Sequence, residues 1–565
     1  MPDFHIGGFM IDAGNAYKAY KKLAGRPLSQ VSDRELNVIY NALCRARRDT
    51  AYREALDVIT PEGSSVRELI ENYLDTYSRA RGYDVHERLS ELYDERYAAG
   101  LYFTVESFVK DEYGERTPVS PVELLVGDEV TVVATLYSYE DYRPIAAPVL
   151  SFSWISDDGS SGRGRVESAS TVEINLTADT AGSLNFRVFA LDRAGKEIAT
   201  AESVFGGLLF SADDITPAHT PPYDLYDFWD KEIARLMRVD PTDKNADGYT
   251  GAVAYDFEIP SKNRFSLRTV DSAYLRKMRE NGLPTLSETS LEKYDVYELY
   301  LKSPGPAPTT AYVSVPKGRS THSLPIRITY DSYDAHSPTP IISANQISVH
   351  CTHHGYEPGM PEEDYYSRLN NGVLKDYGKS NGGINSGYRD PSDCYMTYLI
   401  ARDLQLIRFL ADPSYSSVIP ELNRIWTREL VLSGMSMGGY QALCVGALST
   451  RLSGLVPAFS VSQIEANIPG FCNMAAAKTG KIASDFFSYE VGADYFDPVH
   501  LAPMIRAEVK LMRVGLGDET CIASGIQAVL NSLGKGVKRS ANYLQNSSHG
   551  YLPEPKNQRW YRLEY

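Results

Sequence analysis

Residues 429–439 read ELVLSGMSMGG, an apolar segment that ends in a glycine-rich turn. The apolar half predicts a buried β-strand, and the residues YQALCV at 440–445 predict a helix. Gly434, Ser436 and Gly438 stand at the junction in the spacing GxSxG, which is typical of a nucleophile elbow. The glycines allow a tight strand-to-helix turn that lifts the serine hydroxyl clear of the backbone. The sequence therefore predicts Ser436 as a nucleophile.

A serine hydroxyl needs a neighbouring base, and the base needs a carboxylate to orient it. In the fold built around a GxSxG elbow, these groups follow one another in the order Ser, Asp or Glu, His. Of the ten histidines in the chain, only His500 and His549 follow Ser436. His549 lies in the small polar segment NSSHGY at 546–551, close to the last residue. We predict His549 as the base.

The orienting carboxylate is predicted at Asp518, in the segment GLGDE that directly follows an apolar strand pattern at 509–514. Open α/β sheets build their sites at the carboxyl ends of their strands. His500 precedes Asp518, so only His549 completes the expected order. Three other acids compete without a strand pattern directly before them: Asp485, Asp494 and Asp497. The alternative is structural, with Asp518 capping a helix and His549 on a surface loop.

The oxyanion hole of such a site uses backbone N–H groups. One donor is predicted at Met437, the residue after the nucleophile. The other belongs to a loop that follows an earlier strand. Tyr333 follows the strand pattern at 324–330 and is our first choice, whereas Tyr356, in the loop after the next strand, is the rival.

The chain divides into three regions with different sequence patterns. Residues 1–112 read as helical, with capping boxes that begin at Ser32 and Ser65. Residues 117–206 contain short alternating segments separated by Gly, Asp and Ser turns, which predict an immunoglobulin-like β-sandwich. Residues 220–565 alternate strand and helix patterns, which predict an α/β domain with a mostly parallel sheet.

The charge balance narrows the range of partners. The chain has 57 Lys and Arg against 73 Asp and Glu, a net charge of −16 over 565 residues. Nucleic acids and anionic lipids need a basic face, so we expect neither as a partner. No apolar run reaches the roughly 18 residues of a membrane span, and the first residues, MPDFH, do not resemble a signal peptide.

No cofactor or metal is expected. The six cysteines are scattered, which favours buried free thiols over a disulfide framework. The cluster considered for a metal comprises His350, Cys351, His353 and His354. Strand alternation would place His350 and His354 on one face and His353 on the other, which suits a single tetrahedral ion poorly.

Four further segments carry a family resemblance over residues 220–565. They are YDFWD at 226–230, YRDP at 388–391 with LIARD at 399–403, YFDPVHLA at 495–502, and GLGDETC at 515–521. With the GxSxG elbow, this set resembles the acetylxylan esterase and cephalosporin-C deacetylase family, carbohydrate esterase family seven of the α/β-hydrolase superfamily.

The resemblance implies the same roles for Ser436, Asp518 and His549, and it implies the oxyanion tyrosine at Tyr333. It further implies removal of acetyl or similar small acyl groups from an acylated saccharide. The sequence departs from the family at Met437, where Gln is usual, and at residues 331–333, which read DSY instead of His-Gly-Tyr.

Two other functions are kept as alternatives. A serine peptidase of the prolyl-oligopeptidase type has the same elbow and the same order of residues, but 206 residues of helix and sandwich cannot supply a seven-bladed propeller. A non-catalytic glycan-binding protein on a hydrolase scaffold is the second alternative. Export with a removed signal peptide is expected from the added sandwich, a cytoplasmic location is not excluded, and a homo-oligomer is left open.

Overall fold

The computed structural model describes residues 14–564, with longer gaps at 93–99, 246–262, 333–338, 353–389 and 468–490. Shorter gaps lie at 15, 49, 59, 62, 111–113, 199, 281, 284, 306 and 555–556. Within the described residues, each of the three largest buried apolar clusters lies mainly in one of the three regions of the sequence.

The first region is a small helical bundle. Its helices include α1 (Asp33–Arg48), α2 (Thr50–Leu56), α3 (Val66–Arg81) and α4 (Val85–Leu92). The capping box predicted at Ser65 is confirmed, because its side chain accepts a hydrogen bond from the Glu68 N–H and the Glu68 carboxylate accepts one from the Ser65 N–H.

The second region contains two four-stranded antiparallel sheets that pack around one apolar cluster. The strands are β1 (Leu101–Lys110), β2 (Arg116–Pro118), β3 (Val130–Ser138), β4 (Ala147–Ser156), β5 (Ser161–Ala169), β6 (Thr171–Leu176), β7 (Gly182–Leu191) and β8 (Val204–Phe210). One sheet has the order β2-β1-β3-β6 and the other β5-β4-β7-β8. The region is called the sandwich below, and its immunoglobulin-like topology stays a prediction.

The predicted limits of the sandwich need a correction. β1 begins at Leu101, inside the stretch 1–112 that the sequence pattern assigned to helices, and β8 runs past 206. Leu101, Phe103 and Val105 are all buried, which is the two-residue period of a strand that packs on one face.

The third region is built on a ten-stranded mixed sheet with the order β18-β17-β16-β15-β14-β12-β13-β11-β10-β9. The strands are β9 (Ser266–Thr269), β10 (Tyr294–Leu301), β11 (Thr309–Pro316), β12 (Leu324–Tyr330), β13 (Ile347–Thr352), β14 (Trp426–Met435), β15 (Ser460–Asn467), β16 (Glu508–Gly515), β17 (Arg539–Leu544) and β18 (Trp560–Glu564). The six strands from β13 to β17 in this order pair in parallel.

Helices cover this sheet. They are α5 (Leu225–Met237), α6 (Ser272–Glu280), α7 (Ser290–Lys293), α8 (Tyr395–Ala411), α9 (Pro413–Ser416), α10 (Leu422–Ile425), α11 (Met437–Leu452), α12 (Pro498–Leu501) and α13 (Ala523–Asn531). Every residue of β11 and β13 is buried, so this part of the sheet is covered on both faces. The predicted α/β architecture is confirmed.

None of the helices described is both long enough and apolar enough to cross a membrane. Five of the six cysteines lie in the described ranges, and all five are buried thiols, as predicted.

Candidate active site

The turn that carries Ser436 joins β14 directly to α11. Ser436 has φ 54° and ψ −117°, and its N–H donates to the Asn467 carbonyl on β15 at 2.9 Å. A positive φ is costly for a residue other than glycine, and such strain is found mainly at functional sites. The Ser436 side chain is thereby held at the carboxyl end of the parallel strands.

Two glycines make this turn sterically feasible. A Cβ atom on Gly434 would lie 2.3 Å from the Gly438 carbonyl carbon. A Cβ atom on Gly438 would lie 2.2 Å from the Tyr330 carbonyl oxygen and 2.7 Å from that of Asp331. The first turn of α11 therefore packs directly against the end of β12, as the glycine spacing predicts.

The structure brings Ser436, His549 and Asp518 together. Ser436 Oγ lies 3.0 Å from His549 Nε2, and His549 Nδ1 lies 3.0 Å from Asp518 Oδ2. Asp518 is fully buried, Ser436 is nearly so, and His549 is partly exposed. The chain of contacts runs from the hydroxyl through the imidazole to the carboxylate, in the order that general-base activation of a serine requires.

The second oxygen of Asp518 is held by the backbone. Oδ1 accepts the N–H of Thr520 at 2.8 Å and that of Cys521 at 2.7 Å. Each oxygen therefore has its own donors, which fixes the plane of the carboxylate and directs Oδ2 at the imidazole. The loop leaves β16 at Gly515, which puts Asp518 in the position predicted from the strand pattern.

His549 stands in a closed four-residue turn after β17. The Ser548 N–H donates to the Tyr551 carbonyl, and the Tyr551 N–H donates to Ser548 Oγ, each at 3.1 Å. Ser547 Oγ adds a third hydrogen bond to the Tyr551 carbonyl at 2.9 Å. Small hydroxyl-bearing residues thus build the turn that presents the imidazole.

The predicted oxyanion donors are described only in part. Met437 is buried and begins α11, and the first N–H groups of a helix have no partner within it. Tyr333 and its rival Tyr356 both lie outside the described residues. The Asp331 carbonyl oxygen would lie 2.7 Å from a Cβ atom on Gly438, so the chain that leaves β12 starts beside the elbow.

Two of the competing acids have structural partners. Asp497 Oδ1 accepts the Val499 N–H at the start of α12, and Asp494 lies 3.6 Å from His500 Nε2. His549 Nδ1 instead contacts Asp518. Asp485 lies outside the described residues.

His350, one of the candidate metal ligands, uses both of its ring nitrogens in other contacts. His350 Nδ1 contacts the Thr339 carbonyl and Nε2 contacts Asp331 Oδ1, both at 2.6 Å. Burial alone would lower the pKa of His350, but these two contacts outweigh it and the pKa is raised. The ring therefore has no free nitrogen for a metal, and His353 and His354 lie outside the described residues.

Cys521 is a neighbour of the site that the sequence did not predict. The side-chain atoms of Asp518, Cys521 and His549 that could bind a metal ion all lie within 4.8 Å of one another. The His549 and Asp518 atoms already bond each other, so this cluster belongs to the site described above.

No family model and no curated protein matches this chain. Among solved structures, it is similar to acetyl xylan esterase 1 from Thermoanaerobacterium sp. JW/SL YS485, at 17% identity and a TM-score of 0.41, over 61% of this chain and 93% of that one. Acetyl xylan esterase from Paenibacillus sp. R4 gives 16% identity and a TM-score of 0.39, over 60% and 94%. A putative dienelactone hydrolase from Klebsiella pneumoniae gives 11% and 0.28, over 45% and 87%. Similarities at this level establish neither a family nor an activity for this chain.

Proposed function

We propose that this protein is a serine carbohydrate esterase that removes acetyl or similar small acyl groups from saccharides. The observation that carries the proposal is the pair of 3.0 Å contacts that links Ser436 to His549 and His549 to Asp518. The saccharide part of the proposal is supported by sequence motifs that resemble those of carbohydrate esterase family seven.

The reaction has two halves. His549 Nε2 takes the proton of Ser436 while Oγ attacks the ester carbonyl, and Asp518 stabilises the imidazolium that forms. The N–H of Met437 stabilises the oxyanion, together with a second donor that we assign to Tyr333. His549 then gives its proton to the departing sugar hydroxyl, which leaves the acyl group on Ser436.

Water completes the cycle. His549 removes a proton from a water molecule that attacks the acyl-serine, and the second oxyanion collapses to release the free acid. Ser436 recovers its proton from His549. Every proton in this scheme is carried by groups of the chain, the substrate and water, so the proposal requires no metal and no organic cofactor.

Acetate release from acetylated xylan and from peracetylated xylose tests the proposal. Wild type should release acetate, and Ser436→Ala should not. Ser433→Ala is the matched control, because Ser433 lies on β14 near the elbow but contacts Thr329 Oγ1 at 3.1 Å instead of His549. Its variant should keep the wild-type rate.

Other outcomes separate the alternatives. If wild type hydrolyses a short-chain aryl ester but releases no acetate, the catalytic roles of Ser436, His549 and Asp518 stand. The acetylated saccharide is then not the substrate. Cleavage of peptide reporters but not of esters would favour the peptidase. If a fluorophosphonate fails to label Ser436, the serine is not activated and a glycan-binding role becomes the better explanation.

A further inference from the structure

One face of the sandwich lies against the loops that carry Asp518 and His549. On β7, Ser183, Asn185 and Arg187 alternate with Leu184 and Phe186. The two apolar side chains belong to the buried core of the sandwich, so the three polar ones point to the opposite face. This outer face meets the third region of the chain.

The outer face contacts the loop that carries Asp518, called the acid loop below. Asn185 Nδ2 donates to the Asp518 carbonyl oxygen at 3.3 Å, and Arg187 Nε donates to Glu519 Oε1 at 2.6 Å. Asn185 is buried at this contact. The residue that orients the imidazole is therefore bonded through its own backbone to the sandwich.

Backbone packs on backbone beside these contacts. A Cβ atom on Gly207 would lie 2.0 Å from the Leu516 carbonyl oxygen, and one on Gly517 would lie 2.4 Å from the Gly206 nitrogen. Gly206 and Gly207 belong to β8, whereas Leu516 and Gly517 lead into Asp518. No side chain separates the two segments, so a displacement of one is passed directly to the other.

β8 also contacts the loop that carries His549, called the histidine loop below. The Gly207 N–H donates to the Gln545 carbonyl at 3.1 Å, at the exit of β17. Tyr551 Oη donates to Glu202 Oε2 of the sandwich at 3.1 Å. Burial and the charge of Glu202 raise the pKa of Tyr551, which keeps its hydroxyl protonated as a donor. The turn around His549 is thus tied to the sandwich on both sides.

We propose that the sandwich is a positioning part of the active site. Asn185 and Gly207 fix the acid loop, and Gly207 and Glu202 fix the histidine loop, so the sandwich sets the distance between Asp518 and His549. The two loops also bond each other, since the Gly517 N–H donates to the Ser547 carbonyl at 2.9 Å. The sandwich contacts both of these loops. This inference rests on the proposed function.

The test uses substitutions that remove one hydrogen-bonding group at a time from these contacts, in the whole chain. Tyr551→Phe removes the hydroxyl that reaches Glu202, and Asn185→Ala removes the donor to Asp518. Each should lower kcat about tenfold and leave KM within about twofold, because a misplaced base or acid slows the chemical step without altering substrate binding. The rate at which a fluorophosphonate labels Ser436 should fall by the same factor.

Matched controls come from the same chain. Tyr77→Phe removes a hydroxyl that donates to Asp33 Oδ1 at 2.9 Å in the helical bundle. Asn175→Ala removes an amide that accepts from Thr131 Oγ1 at 2.9 Å on the other sheet of the sandwich. Both should keep the wild-type labelling rate. Wild-type rates in Tyr551→Phe and Asn185→Ala, or equal losses in the controls, would overturn the inference.

The labelling rate also separates this inference from the choice of substrate. If wild type labels at Ser436 but releases no acetate, the acetyl-saccharide proposal fails, and the variants still report on the sandwich. If wild type does not label, there is no activated serine to position, and both fail.

Discussion

Replacing Gly438 by alanine probes the packing of the elbow. The added Cβ would lie 2.2 Å from the Tyr330 carbonyl oxygen, whereas ordinary contacts begin at 3.4 Å, so the first turn of α11 must move by about 1 Å. Ser436 stands two residues earlier and would move with it. Misplacement of about 1 Å costs on the order of 100-fold in rate, and we expect Gly438→Ala to lower kcat by that factor.

The assay is steady-state hydrolysis of a short-chain aryl ester, with the fluorophosphonate labelling rate as a second measurement. Gly446→Ala is the control, because it lies on the same helix and its Cβ would meet the Ile464 Cδ1 methyl at 2.4 Å. A terminal methyl can rotate away, whereas the carbonyl of Tyr330 is fixed in the sheet. Gly446→Ala should therefore stay within about threefold of wild type. Full activity in Gly438→Ala would refute the reasoning.

Three further outcomes are expected. Asp518→Asn should lower kcat about 10⁴-fold, because an amide donor facing His549 Nδ1 selects the wrong tautomer; a loss under tenfold in ester hydrolysis would contradict the assigned role. Burial raises the pKa of Asp403 from 3.8 to about 7, so the folded chain holds a proton that the unfolded chain has released, and this group lowers stability as pH rises from about 4 to about 7. Asp403→Asn should abolish the loss of about 2 kcal/mol in unfolding free energy that this group causes between pH 5 and pH 7, measured by urea unfolding; an unchanged pH dependence would show that Asp403 is not the group. Ser65→Ala should cost about 1 kcal/mol through the lost cap, seen as faster amide exchange in the first turn of α3 but not at its end.

The residues of the candidate site could be predicted because local rules fix them. The elbow needs glycine at positions 434 and 438 for reasons that act within a few residues, and the structure shows both close approaches. Chain order then left few choices for the partners of Ser436. Asp518 lies just after β16, as the strand pattern predicts, and His549 lies in the polar segment that follows β17.

The contacts between the sandwich and these loops could not be predicted in the same way. Asn185 and Asp518 are 333 residues apart, and no periodicity or turn pattern connects them. One local signal was present. The pair Gly206-Gly207 interrupts an otherwise apolar strand, and glycine inside a strand often marks a place where another backbone approaches closely. The partner of that approach is visible only in three dimensions.

The start of the sandwich was misplaced for a different reason. Residues 101–110 read LYFTVESFVK, and their apolar positions are dense enough to fit more than one period. Pairing with β3 along nine residues decides between them. Tertiary pairing of this kind overrides local pattern, particularly in short apolar segments.

The distance along the chain between the sandwich and the acid loop has a consequence during synthesis. Chains grow at 5–20 residues per second, so the 333 residues that separate Asn185 from Asp518 take roughly 17 to 67 seconds to translate. Throughout that time the outer face of the sandwich has no docking partner. An apolar surface left bare for so long would attract other nascent chains. The polar side chains of Ser183, Asn185 and Arg187 reduce the apolar area that this face exposes until the loops that it contacts have been made.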